Sequence, residues 1–522
     1  MTRDFDIVVV GSGFAGSLIA MIARRLGRSV ALIERGQHSR FAIGESSTPL
    51  ANLLLEELAR RYDLPRLLPL TKWGSWQCEH PELACGLKRG FTFCHHALDA
   101  PFAVDAERHR HLLVAASPRD EIADTHWFRA DFDAFFVREA IAAGVAYFDQ
   151  TCIGQVIEEP DAMTLSGRHG DGREFCARAK FVIDATGPRG LLHRAFGLGE
   201  RPFPNYPATE ALFTHFRGVK RFSEIQPTEG EPPYPIDDAA MHHVFPGGWI
   251  WVVRFNNGIT SAGAALEPEL ATELRLSEGW AAWLRLLDRL PSVRAQFADA
   301  TECFPFIHQP QVAFRSTRSA GASWALLPSA AGFVDPLLST GFPLTLLGVT
   351  RLAQVIANDW GQPKFAKRLQ EYASTTDAEL AITAELIGAL YRQMSDPPVF
   401  NALTQLYFAA ASYAESARRL GRAELASGFL LHSHPEFGAA LRRCLAMAHD
   451  QIGDAWRTAF MDEIARVIAP INVAGLANPI RRNWYSARAE DLLAAAGKLQ
   501  SSPAEIQRML LASGFYPEPA AN

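Results

Sequence analysis

The chain has 522 residues, 48% of them hydrophobic and 21% charged, an ordinary globular balance with room for two to four packed units. Its formal net charge of −6 excludes a global basic field for nucleic acid or an anionic membrane surface. Met1-Thr2-Arg3-Asp4-Phe5-Asp6 carries acid where a secretory signal would carry base, and the seven cysteines are few and odd in number, so a reducing cytoplasm is expected.

In chain order, Ile7-Val8-Val9-Val10 is a short apolar run of the kind found in central parallel strands. It runs into Gly11-Ser12-Gly13-Phe14-Ala15-Gly16, and a helix follows with apolar positions at Leu18, Ile19, Ile22, Ala23 and Leu26. The next strand, Ser29-Val30-Ala31-Leu32-Ile33, is closed by Glu34-Arg35. A bare G-x-G-x-x-G carries little weight. Here a strand precedes it, a helix follows, and Glu34 stands 18 residues past Gly16. Glycines let the backbone approach a pyrophosphate, the helix N-terminus favours its charge, and a glutamate at that place can bind ribose hydroxyls. This predicts a dinucleotide site without separating FAD from NAD.

Further along, 40–49 is a polar loop containing Gly44, Glu45, Ser46 and Ser47, and 84–93 is strand-like around Lys88. Phe181-Val182-Ile183 ends in Asp184-Ala185-Thr186-Gly187, a second glycine turn at a strand end. Trp249-Ile250-Trp251-Val252-Val253 is rich in strand formers. Trp324-Ala325-Leu326-Leu327 leads into a third loop, 333–341. Residues 319–350 hold one charge, Asp335, but Pro328, Gly332, Pro336, Gly341 and Pro343 argue for a buried strand, a loop and the start of a core helix rather than a membrane span. From about 352 the pattern turns helical, with one apolar face through Leu380, Leu386, Ile387, Leu390, Tyr391 and Met394. Ser502-Pro503-Ala504-Glu505 reads as a capping box. Cys78, His80, Cys85, Cys94, His95 and His96 lack the paired spacing of structural zinc, so no metal is expected.

At the loop 333–341 the chain resembles the flavin-dependent halogenases, whose Phe, Pro, Ser and Gly at fixed offsets are matched by Phe333, Pro336, Ser339 and Gly341. Their paired tryptophans are matched by Trp249 and Trp251, although Val253 and Arg254 stand where Ile and Pro are usual, which leaves room for a flavin monooxygenase that hydroxylates an aromatic. Their essential lysine is matched by Lys88, with Lys72 and Arg89 as rivals. The layout is most similar to the branch acting on free phenols such as phloroglucinol.

The resemblance implies an α/β fold: a Rossmann-type FAD-binding domain built from 1–200 and 320–355, an inserted β-sheet substrate domain at 200–320, and a helical region at 355–522. It implies FAD, used reduced, held by Gly11, Gly13, Phe14, Ala15, Gly16, Glu34, Arg35, Gly44, Glu45, Ser46, Ser47, Arg129, Asp184, Gly187, Asp335 and Pro336. It implies a halide at Ser339, Thr340 and Gly341, with Trp249, Trp251 and Phe333 beside the flavin. Lys88 then directs hypohalous acid at one ring carbon of a small aromatic. A single dinucleotide fingerprint implies that a separate NAD(P)H-dependent flavin reductase supplies the reduced cofactor.

Overall fold

The computed structural model describes residues 2–228, 230–450 and 454–516. The strand Arg3–Val10 lies at the centre of a parallel array, flanked by Val30–Ile33 on one side and Glu174–Asp184 on the other. Ala146–Phe148 extends it beyond Val30–Ile33, and Trp324–Leu326 pairs in parallel with 182–184. The aliphatic side chains of these strands face helices on both sides, which is why their sequences show no alternation. Two antiparallel strands, Thr151–Glu158 and Met163–His169, widen the same sheet.

A second, nine-stranded sheet stands beside it. Its centre is the meander Ala240–Phe245, Gly248–Arg254, Thr260–Leu266 and Glu210–Arg217. Gly90–His95 joins in parallel with Ala240–Phe245, His111–Ala115 follows, and Trp484–Tyr485 closes that edge. The boundaries expected from sequence therefore need correction. The second sheet takes its core from 210–266 but borrows two strands from the first 200 residues and one from the helical tail. The run 84–93 is also two strands: it bends at Arg89, so Cys85–Lys88 pairs with Asp124–Trp127 in a separate hairpin while Gly90–His95 enters the large sheet. Gly90 is required there, since a side chain would meet the Val114 carbonyl 2.2 Å from its Cβ.

The apolar segment of 319–350 forms the strand Trp324–Leu326, a loop, and the helix Gly341–Asp359. Gly341 and Pro343 sit in the first turn of that helix, where proline is tolerated, and its apolar faces are buried in the main core. It is long and apolar enough to cross a membrane, and it is largely buried inside the protein. The long helix Phe365–Arg392 touches both sheets and Pro397–Arg419 packs on the second, and Pro503–Ala512 begins with the expected capping box.

Candidate active site

The glycine-rich turn follows the central strand and opens the helix Phe14–Arg25, whose N-terminus has no side-chain cap. Gly11 has φ +98°, and a Cβ there would lie 2.5 Å from the Ala185 carbonyl; a Cβ on Gly16 would lie 1.9 Å from the Gly11 carbonyl. These two glycines close the turn. Gly13 is different: its nearest neighbours are the Arg129 guanidinium at 3.4 Å and Asp133 at 3.6 Å, with no backbone in the way at the start of the helix. Amides, dipole and guanidinium converge where a pyrophosphate would lie, so the cradle fits FAD.

Arg129 is held by Asp133 through two 2.8 Å contacts and donates to the carbonyls of Ile43 and Gly44. Asp133 also accepts from the Phe14 amide at 3.1 Å. Thus one ion pair ties the glycine turn to the 40–49 loop. Sequence reading missed Asp133, although Arg and Asp four apart on a helix are visible neighbours. Glu34 is 5% exposed and accepts from the Ser12 and Gly36 amides. Burial pushes its carboxyl up, but those amides and Arg40 win and hold it below the usual carboxylate value. Arg35 is exposed and Gly187 adopts φ +80° with nothing near its Cβ.

Several residues expected to touch the cofactor also hydrogen-bond within the protein. Asp184 accepts from the amides of Thr186 and Leu192 and caps its own turn. Glu45 is paired with His215 at 2.9 Å across to the second sheet. Asp335 is 1% exposed, and its carboxylate accepts from the hydroxyls of Tyr206 and Tyr391 and the Leu337 amide. Burial raises its pKa to about 6. Ser46 and Ser47 face Lys88. The dense hydrogen bonding of these carboxylates and hydroxyls is invisible in sequence, because the partners come from distant strands.

Lys88 is 0% exposed. Its ammonium donates to Ser46 Oγ at 2.9 Å and to the Ser47 carbonyl, and lies 3.8 Å from the centre of the Phe91 ring. Burial drives its pKa down, opposed by the Asp124 carboxylate directly across the hairpin; the same burial drives Asp124 up. The rivals are otherwise engaged: Lys72 donates to the Ser513 carbonyl, and Arg89 pairs with Asp120. Of the three cations expected, only Lys88 abuts the 40–49 loop. Its placement follows from Gly86, where any side chain would collide with the Arg254 carbonyl, 1.9 Å from its Cβ.

The loop 333–341 turns back through Leu338 and Ser339, both at positive φ, which costs on the order of 1–3 kcal/mol per residue and points to a functional constraint. It delivers Ser339, Thr340 and Gly341 to the start of the helix Gly341–Asp359, and Phe333 packs 3.7 Å from the Cβ position of Gly341. Trp249 and Trp251 share one strand face. The Trp249 indole donates to the Tyr391 hydroxyl at 3.1 Å, and that hydroxyl donates to Asp335 at 2.9 Å. Tyr391, read from sequence only as part of an apolar helix face, therefore joins the tryptophan strand to the loop. Arg254 donates to the carbonyls of Val219 and Lys220. It braces the neighbouring segment 219–220. Pro336 is half-buried beside Asp335.

A family model described as tryptophan halogenase matches residues 100–412, more than half of the chain, and an FAD-binding-domain model matches residues 6–90. The chain belongs to the tryptophan halogenase family. This halogenase uses FAD and halide. It is 28% identical to monodechloroaminopyrrolnitrin halogenase PrnC of Pseudomonas fluorescens, over 78% of this chain and 71% of that one. It is 27% identical to tetracycline 7-halogenase of Kitasatospora aureofaciens, over 78% and 74%. The crystal structure of halogenase PltM in complex with phloroglucinol and FAD covers 92% of this chain and 99% of its own with TM-score 0.81 at 24% identity, a likeness of fold.

Proposed function

We propose that this halogenase installs chloride or bromide on a small electron-rich, phenolic aromatic, and that Lys88 directs the halogenating species. The observation that carries this reading is a fully buried lysine whose ammonium is hydrogen-bonded to the loop that follows the second nucleotide strand. Such an amine has a lowered pKa and can serve as donor or nucleophile near neutrality.

When bound, reduced FAD with O₂ and halide supplies hypohalous acid. The amides and hydroxyls at Ser339, Thr340 and Gly341, at a helix N-terminus, suit a halide. Trp249, Trp251 and Phe333, which belong to the main apolar core, are the residues assigned to hold substrate away from the flavin. The Lys88 ammonium hydrogen-bonds the hypohalous acid and protonates its departing oxygen, and the position of the ring against Lys88 sets regiochemistry. The single dinucleotide cradle supports a two-component system in which a separate NAD(P)H-dependent flavin reductase supplies reduced FAD. PltM, solved with phloroglucinol, lends support to a phenolic substrate.

The test is Lys88→Ala, assayed with FAD, a flavin reductase, NADH, O₂ and bromide. Halogenated phenol is expected to fall at least about a hundredfold, the scale of a lost acid–base group, while the variant retains FAD and still reoxidises reduced flavin. Retained halogenation with normal regiochemistry overturns the role given to Lys88.

A further inference from the structure

The carboxylate of Asp335, at the head of the loop 333–341, divides its work between two oxygens. Oδ1 accepts from the Leu337 amide at 2.8 Å, which folds the loop back on itself. Oδ2 accepts from the hydroxyls of both Tyr206 and Tyr391, each at 2.9 Å, and the Tyr391 hydroxyl accepts in turn from the Trp249 indole at 3.1 Å. Tyr206 stands ahead of the strand Glu210–Arg217, Tyr391 is in the last turn of the helix Phe365–Arg392, and Trp249 is in the strand Gly248–Arg254. Gly388 permits the meeting: a Cβ there would lie 2.3 Å from the Asn205 carbonyl, so the helix runs directly against the segment that carries Tyr206. Three segments distant in sequence thus fix one buried oxygen. The strained turn comes next in the chain. Leu338 and Ser339 have φ +64° and +55°, and Thr340 returns to φ −71°, ψ −20°. A left-handed residue followed by a right-handed one turns successive amides toward one point, a concavity suited to an anion. Such backbone persists where its surroundings over-determine it. Here the Ser339 amide holds the Pro336 carbonyl at 3.0 Å, and Asp335 holds Leu337.

We propose that Tyr206 and Tyr391 are positioning residues that set the halide affinity of this enzyme and its choice between chloride and bromide. The proposal rests on the halide place given to Ser339, Thr340 and Gly341. Each hydroxyl acts through Asp335, on the turn that presents those three residues. Hydrogen bonds to an anion weaken steeply outside a narrow range of distance and angle, so the grip of the turn depends on how firmly its base is held. Chloride is the smaller ion. A turn held at one width tells it from bromide, whereas a turn that breathes loses chloride first. Removing one phenol oxygen leaves the loop folded, with Oδ1 still on the Leu337 amide and one hydroxyl still on Oδ2, but it frees the carboxylate along the direction of the missing bond. The two hydroxyls share one acceptor, so the effects of their loss are coupled.

Halide binding is read on the oxidised holoenzyme, apart from turnover: chloride by broadening of its NMR line, bromide by its displacement of that chloride. Tyr206→Phe and Tyr391→Phe are each expected to weaken chloride about tenfold and bromide about threefold. In turnover with a flavin reductase, NADH, O₂ and a phenol, KM for bromide should rise by the same factor of about three while kcat at saturating bromide stays within about twofold, the mark of lost binding rather than lost chemistry. Tyr372→Phe separates positioning from general loosening of the helix. It deletes a buried hydroxyl of the same helix, bonded to the Leu326 carbonyl at 2.6 Å, and should lower the melting temperature while leaving both halide affinities unchanged. FAD occupancy and melting temperature report whether each variant folds, and the two tyrosines come from separate segments, so either folded variant decides the matter. Wild-type halide affinities in a folded, FAD-loaded Tyr206→Phe or Tyr391→Phe, or an equal loss in Tyr372→Phe, overturn the proposal. The double variant Ser339→Ala, Thr340→Val tests the halide place itself. Unchanged chloride binding there shows that the halide lies elsewhere, whereas weakened binding there beside unaffected tyrosine variants removes the tyrosine role alone.

Discussion

The parallel sheet and the nine-stranded sheet are both buried, but they bury different chemistry. The strands Arg3–Val10, Val30–Ile33 and Trp324–Leu326 fill their inner positions with valine, isoleucine, leucine, alanine and tryptophan. In and beside the second sheet, His95, His96, His111, His126, His242 and His243 are each 5% exposed or less. His242 stacks between Phe93 and Trp249, with ring centroids 4.5 Å and 5.2 Å away; His96, His243 and Gln296 form a hydrogen-bonded chain. The first sheet is a platform whose function lies at the turns beyond its strand ends. The second sheet carries polar groups through its own body, beside Lys88, and polar groups held dry are expensive for a fold to keep. The difference teaches that apolar packing is concentrated in the sheet whose turns form the nucleotide cradle, and buried titratable groups in the sheet beside Lys88.

The largest expected effect breaks the platform. Gly16→Ala places a methyl 1.9 Å from the Gly11 carbonyl and should destabilise the FAD domain by ~3 kcal/mol or more. Soluble, FAD-saturated Gly16→Ala protein would show that the turn yields more easily than its packing says.

The second expectation sharpens the contrast through pH. Burial lowers the six histidines: to about 4 for His95, His111 and His243, to about 3 for His242, and well below the usual value for His96 and His126. In the unfolded chain each takes a proton as pH falls through 6.5, while in the folded protein it stays neutral. Their stabilising contribution is present above 6.5 and is lost as pH falls from there toward the folded values, by on the order of 1 kcal/mol per histidine per pH unit. Melting temperature should therefore drop steeply between about pH 7 and pH 5. A flat profile across that window would mean that the histidines are hydrated and that the two sheets do not differ as described.

Smaller effects separate cofactor from scaffold. Gly13→Ala meets only Arg129 and Asp133 at 3.4–3.6 Å, so it should leave the FAD-free melting temperature within about 1 °C and weaken FAD about tenfold, ~1.4 kcal/mol. Equal losses in fold and affinity would remove the distinction drawn between Gly13 and Gly16. Tyr391→Phe deletes the hydroxyl joining Trp249 to Asp335 and should cost ~1 kcal/mol of stability with FAD retained. If denaturant midpoints match wild type, that bridge contributes nothing measurable.

How far the sequence speaks follows the same division. The parallel strands were legible because each is a continuous apolar run ending in glycine or acid: Val10 before Gly11, Ile33 before Glu34, Asp184 before Gly187. Lys88 was legible from its strand-like surroundings, and the structure gives it a buried place against Ser46 and Ser47. Its counterpart Asp124 was not, because only the hairpin register brings residues 36 apart face to face. The kink at Arg89 escaped notice for a related reason: nothing local tells a strand which of two sheets it enters. Asp335 and Asp184 were recognised as special, but their partners within the protein were not, because Tyr206, Tyr391 and Leu192 come from other segments.

The strand Trp484–Tyr485 pairs with 113–114 across some 370 positions of chain. Closing so large a loop is slow and late, and during synthesis this strand leaves the ribosome only when nearly everything else has been made. Until then the edge at His111–Ala115 stands open with unpaired amides and carbonyls, an invitation to misplaced strands from other chains. The nucleotide sheet needs the chain only as far as the helix Gly341–Asp359, so it can be complete while the second sheet still lacks its last edge strand.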